Sequence, residues 1–173
     1  MPWIIDYPTV LDRMRAARFV CLTAGAGAFD FPPASNAAVI PWEMTTDEPA
    51  LAARAASFWG KNLAGPAWIM PVAQWTYELE YGSRDWLPAT LERIGIDAGL
   101  LVGRGNSAAI EIAAHESDRF ELLVTRLLEQ LIGSEFLIAF PDKPALCAIK
   151  PAKQLRWSTT LSQLAERLRP AST

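Results

Sequence analysis

An α+β domain is what this sequence predicts, and three observations predict it. Strand-like runs rich in β-branched and aromatic residues cluster together instead of alternating strictly with helical ones. The Pro141–Pro144 segment between two such runs is short enough for a hairpin and too short for a helical crossover, so the strands beside it pair antiparallel. Finally, Phe120, Leu123, Val124, Leu127, Leu128 and Leu131 recur at helical spacing and form one apolar face that a sheet can cover. The expected architecture is a single domain over 1–173, with a mainly antiparallel or mixed β-sheet packed by about five helices.

Taken along the chain, the first helix is expected from Pro8 to Ala17, followed by a strand over Arg18–Thr23. Ala24–Asn36, with Gly25, Gly27, Pro32 and Pro33, reads as a loop, and Ala37–Trp42 as a strand. A helix over Glu48–Leu63 has Asp47 as N-cap and Pro49 in its first turn, where no backbone donor is needed, and Gly65-Pro66 ends it. Ala67–Val72 and Gln74–Tyr81 are strand-like. In the second, Trp75, Tyr77, Leu79 and Tyr81 alternate with Thr76, Glu78 and Glu80. The third helix runs over Trp86–Ile94, capped by Asp85 and closed by Gly95. Ala108–Ala114 is a strand. The long helix of Asp118–Ile132 follows it, with Ser117 as cap and Gly133 as stop. Three closely spaced strands, Glu135–Phe140, Ala145–Lys150 and Gln154–Ser158, precede a last helix over Leu161–Leu168, introduced by Thr160 with Gln163 at capping-box spacing.

Composition bounds the function. The 173 residues suit one domain that buries its own core without a metal or a disulfide framework. The 16 basic and 19 acidic residues give a net charge of -3 and form no polybasic stripe, so nucleic acid is not an expected partner. No secretory pattern opens the chain, and the longest uncharged stretch, Asn62–Tyr77, is too short and too broken by proline to span a bilayer. A cytoplasmic protein without membrane contact is the expectation. The charged fraction of 20% is on the low side, which favours a homo-oligomer, here a homodimer. Cys21 and Cys147 lie in separate apolar runs and read as buried free thiols.

No motif marks a reaction. A single histidine, His115, excludes a histidine-rich metal centre. A carboxylate-only site stays open because it needs no fixed spacing, and neither metal nor cofactor is expected. Glu111 is the one charge in its strand, so a covered sheet face would bury it and require a partner or a raised pKa, whereas an open face would leave it to water. Glu78 and Glu80 share a strand face, a spacing that two cooperating carboxylates also use. Seven tryptophans stand out. Most belong in the core, and Trp75 and Trp157 are the first candidates to line a pocket or an interface. Lys150, Lys153 and Arg156 beside Trp157 make a cationic and aromatic neighbourhood suited to an acidic protein partner or a small acidic ligand. The expected function is therefore a binding or protein-interaction module acting through a Trp-bearing surface. The alternative is an enzyme that brings Glu111, Glu78 and His115 into one pocket. A third reading, a regulatory or neutralising partner protein, shares the first one's surface.

Overall fold

The computed structural model describes residues 3–20, 22–23, 29–42, 47–71, 86–97, 107–130, 135–150 and 154–170. Within them the order is β1 (Trp3–Asp6), α1 (Tyr7–Ala16), β2 (Leu22–Thr23), β3 (Phe29–Asp30), β4 (Ala38–Trp42), α2 (Glu48–Asn62) and β5 (Ala67–Pro71). There follow α3 (Trp86–Arg93), β6 (Ser107–Ile112), α4 (Ser117–Gln130), β7 (Phe136–Phe140), β8 (Ala145–Lys150), β9 (Gln154–Thr159) and α5 (Ser162–Leu168). Seven strands form one sheet in the order β1-β6-β5-β7-β8-β9-β4, and every neighbouring pair is antiparallel. This is the α+β arrangement expected. β2 and β3 pair separately as a short ribbon.

Alternation along each strand divides the sheet into two faces. On the first face, Phe136, Ile138 and Phe140 of β7, Cys147 and Ile149 of β8, and Leu155 and Trp157 of β9 pack with Leu51, Ala55 and Trp59 of α2 and Phe120, Leu123 and Leu127 of α4 in one buried cluster. On the second face, Trp68, Met70, Ala109, Leu137, Ala139 and Leu146 meet Val10 and Met14 of α1 and Phe31. β7 reads Phe-Leu-Ile-Ala-Phe and is buried at every position, because helices cover both of its faces.

Local chemistry sets the helix ends. Asp6 accepts a hydrogen bond from the Thr9 N–H at 2.8 Å, and Asp47 accepts one from Ala50 at 2.9 Å. Each cap is followed by a proline in the first turn, where its missing donor costs nothing. Gly95, at φ 83°, follows the end of α3 as its sequence position implies. Gly65, at φ 87°, makes the turn from α2 into β5, and a Cβ there would run into the Asp142 carboxylate.

Three expectations are corrected. Arg18–Val20 are not strand: α1 ends in a tight reversal, and among the described residues of this run strand geometry is present at Leu22–Thr23. The capping box at Thr160 does not form. The N-cap of α5 is Leu161, without a side-chain cap, and its N–H goes instead to Thr159 Oγ1 at 3.1 Å. β1 was not anticipated, because four residues ahead of a helix offer too little alternation to read as a strand. The Gln74–Tyr81 run, Asp85, Gly133 and Cys21 lie outside the described residues.

Among the described residues no helix is long and apolar enough to cross a membrane.

Candidate binding cleft

The end of α1 builds one wall of a cleft of about 530 Å³. The other walls are the Pro32–Ala37 segment and the Pro141–Pro144 turn between β7 and β8. The floor is the second sheet face, where Leu146 of β8 and Ser158 of β9 stand opposite each other in register. Ser158 is in turn opposite Val39 of the edge strand β4. The lining combines apolar surface from Phe19, Pro32 and Leu146 with polar groups from Asn36, Ser158 and Thr160. That mixture of an apolar body and a few polar anchors is what small-ligand sites use, and the volume falls in their usual range.

Arg18 is the unusual residue of this wall. The Phe19 N–H bonds to the Met14 carbonyl at 3.0 Å and the Arg18 N–H to the Arg15 carbonyl at 2.9 Å, the paired bonds of a Schellman helix end. The reversal turns Phe19 back toward the second-face cluster, where its ring meets Phe31 edge-on at 6.2 Å between centroids. This geometry needs a left-handed residue. Arg18 supplies it at φ 64°, and it is the one non-glycine among the described residues with positive φ. Glycine takes that conformation freely, whereas a side chain costs about 1–2 kcal/mol there. The reversal explains the conformation but not the arginine.

Three charged residues line the cleft: Arg18, Asp142 and Lys143. The acid is already paired, since Arg13 of α1 donates to Asp142 Oδ1 at 2.7 Å from outside the lining. Neither Arg18 nor Lys143 joins an ion pair with any other described residue. The Lys143 N–H to Phe140 carbonyl bond, at 3.0 Å, and the Ala145 N–H to Lys143 carbonyl bond, at 2.7 Å, hold the turn tight. Lys143 also lines a smaller cavity of about 260 Å³ on its other side, beside Asn62, Leu161 and Arg167.

Trp157, Glu111 and His115, singled out from sequence, fall elsewhere. Trp157 is fully buried on the first face, 5.1 Å from Trp42, 5.0 Å from Phe58 and stacked at 5.7 Å on Phe140, ring centroid to ring centroid. It is a packing residue and not a surface one, because the strand parity that exposes Arg156 turns its neighbour inward. Trp42, Trp59 and Trp68 are buried as well. Their indole N–H groups reach the Leu168 carbonyl, the Gly65 carbonyl and Glu111 Oε2 respectively, whereas Trp157 Nε1 has no acceptor among the described residues.

Glu111 lies between the two possibilities set for it. It is half-buried, opposite Trp3 on one side and Trp68 on the other, and takes the Trp68 indole hydrogen bond at 2.7 Å. His115 is exposed in the turn between β6 and α4, and no hydrogen bond joins it to Glu111. Trp75, Glu78 and Lys153 lie outside the described residues. Lys150 closes β8, and its side chain is outside them too. The pocket proposed for Glu111, Glu78 and His115 therefore cannot be assembled from described atoms. Cys147 is buried in the first-face core, and desolvation pushes its thiol well above the usual range, the state of an inert packing sulfur. No group of three or more His, Cys, Asp or Glu among the described residues gathers as a metal site.

The cleft residues escaped the sequence reading because four distant segments make it, 16–20, 32–37, 141–146 and 158–160. One signal was present: neither glycine nor asparagine follows the first helix, so a left-handed residue at its end has to be one that takes that conformation at a cost. Comparison of the chain with protein-family models, with curated proteins and with solved structures finds no match.

Proposed function

We propose that this protein is a binding module whose ligand site is the cleft between the end of α1 and the β7–β8 turn. One observation carries the reading. The exposed large hydrophobic residues among those described are Val20, Val39 and Leu161, which lie in or beside this cleft and the smaller cavity that shares Lys143 with it. Val20 lines the cleft, Val39 is the cross-strand partner of its floor residue Ser158, and Leu161 follows its rim residue Thr160. Single exposed apolar side chains are ordinary on any surface, but three of them close to one concave region support the reading that something docks there. The proposed site thus lies on the opposite face of the sheet from Trp157.

Pro41, exposed on the edge strand β4, argues against the simplest route to a homodimer. A proline at an edge offers no N–H to a neighbouring strand, so edge-to-edge pairing there is weakened.

Chemical-shift mapping of the isotopically labelled chain against a mixed set of small neutral and charged fragments tests the proposal. Perturbations should gather at Arg18, Asn36, Lys143 and Ser158. Perturbations gathered around Glu111 and His115 instead would restore the catalytic alternative, and shifts spread evenly over the surface would remove the cleft from consideration.

A further inference from the structure

We infer that the cleft selects an organic carboxylate with an apolar body, and that Arg18 is the residue that reads its charge. The inference rests on the cleft being the ligand site and names what occupies it.

The charge balance comes first. Of the three charged lining residues, Asp142 is satisfied by Arg13, which leaves Arg18 and Lys143 as the cations offered to a ligand. A planar guanidinium matches the two oxygens of a carboxylate in a fork, and an ammonium adds a point charge beside it. The apolar floor and walls, Leu146, Phe19 and Pro32, give the rest of the molecule a dry surface. A bare inorganic anion would leave that surface uncovered. A phosphate ester carries nearly twice the charge, and proteins commonly meet it at a helix N-terminus, whereas no residue of a first helical turn lines this cleft among the described residues.

The backbone of Arg18 supplies the second, independent argument. The helix end requires a left-handed residue, glycine fills it without cost, and this chain places there the side chain best suited to a carboxylate. A position that sacrifices stability for one particular side chain at the lip of a cleft is the signature of a functional constraint.

The test uses three probes of one shape on the full chain: hexanoate, hexanamide and pentyl phosphate, each titrated while the shifts of cleft residues are followed. Hexanoate should bind at least about tenfold more tightly than hexanamide, the factor expected when a charge-assisted hydrogen bond is lost. Arg18→Gly should remove that preference while raising the melting temperature by roughly 2–4 °C, because the strain at φ 64° is relieved. The stabilisation shows that the variant is folded, so lost binding cannot be blamed on unfolding. Equal binding of hexanoate and hexanamide overturns the carboxylate inference and leaves the cleft as a site. Tighter binding of pentyl phosphate reassigns the ligand to a phosphate ester. An Arg18→Gly variant that keeps its carboxylate preference removes Arg18 from the role. No response to any of the three overturns the cleft itself.

Discussion

The two faces of the sheet are built from the same strands and differ in what lies over them. The first face is roofed by α2, α3, α4 and α5, and its strand residues from Ile40 to Trp157 are buried without a charged group among them. Among the described residues, the second is roofed by α1 and Phe31 over its β1-to-β8 portion. Toward β9 and β4 it opens, and there Arg156, Val39 and Pro41 are exposed and the cleft is found. A covered face can be optimised for packing alone, whereas a half-covered face has to manage an edge between core and water, and that edge is where a ligand finds both kinds of surface.

If that contrast holds, the largest effect of any substitution considered belongs to the first face. Trp157→Ala removes the ring around which Trp42, Phe58 and Phe140 are arranged and should cost about 3–5 kcal/mol in urea unfolding. Trp157→Phe should cost distinctly less than Trp157→Ala. It keeps a ring in the stack and removes an indole N–H that has no acceptor among the described residues and is itself a burden of about 1–3 kcal/mol. A tryptophan-to-alanine loss below about 1 kcal/mol would mean that this face is not the dense core described.

Next in size is Gly65→Ala, at the seam where the β7–β8 turn meets the α2–β5 connection. The substitution forces a side chain into φ 87° and against the Asp142 carboxylate, so thermal or chemical denaturation should show a loss of about 2 kcal/mol or more. Because Asp142 lines the cleft, the same change should also disturb ligand binding, which no first-face substitution of equal cost should do.

A smaller effect is expected at Glu111. Glu111→Gln keeps an oxygen for the Trp68 indole and should leave stability within about 0.5 kcal/mol, while Glu111→Leu leaves a nearly buried donor unmatched and should cost about 1–3 kcal/mol. This pair of variants separates a structural hydrogen bond from a catalytic carboxylate. Only the catalytic reading gives the glutamine variant a defect out of proportion to its stability.

The same contrast between faces explains what could be read from the sequence. The first-face elements were legible because helices such as Ser117–Gln130 and strands such as Gln154–Thr159 carry their periodicity locally, and Asp47, Gly65 and Gly95 punctuate them with residues that have one physical reason to be there. Trp157 was misplaced because an aromatic residue flanked by charge reads equally as core or as surface, and only strand parity in the finished sheet decides between them. Arg18 looked like the start of a strand because β-branched and aromatic neighbours follow it. What turns it aside is the contact of Phe19 with Phe31, a residue distant in the sequence. The cleft was illegible for the same reason: its composition is unremarkable in each of four segments, and only topology places Leu146 opposite Ser158 and brings Lys143 to the same opening as Arg18.

The smallest stability effect bears most directly on the difference between the faces. Arg13 lies outside the cleft lining, and its ion pair with Asp142 joins two exposed side chains at 54% and 39% accessibility, so Arg13→Ala should change stability by no more than about 0.2–1 kcal/mol. The consequence for binding is out of proportion to that. Without Arg13, Asp142 remains on the cleft wall as an uncompensated acid facing the same ligand as Arg18 and Lys143, and a carboxylate probe should bind severalfold more weakly at low salt. The deficit should shrink as salt screens the repulsion. Asp142→Asn removes the acid along with the pair, so it should match Arg13→Ala in stability and restore carboxylate binding to at least the original level. Two variants of equal stability with opposite effects on hexanoate affinity are what a charge-reading cleft requires. If both weaken binding equally, the pair serves only to hold α1 against the β7–β8 turn, and the second face differs from the first in coverage but not in purpose.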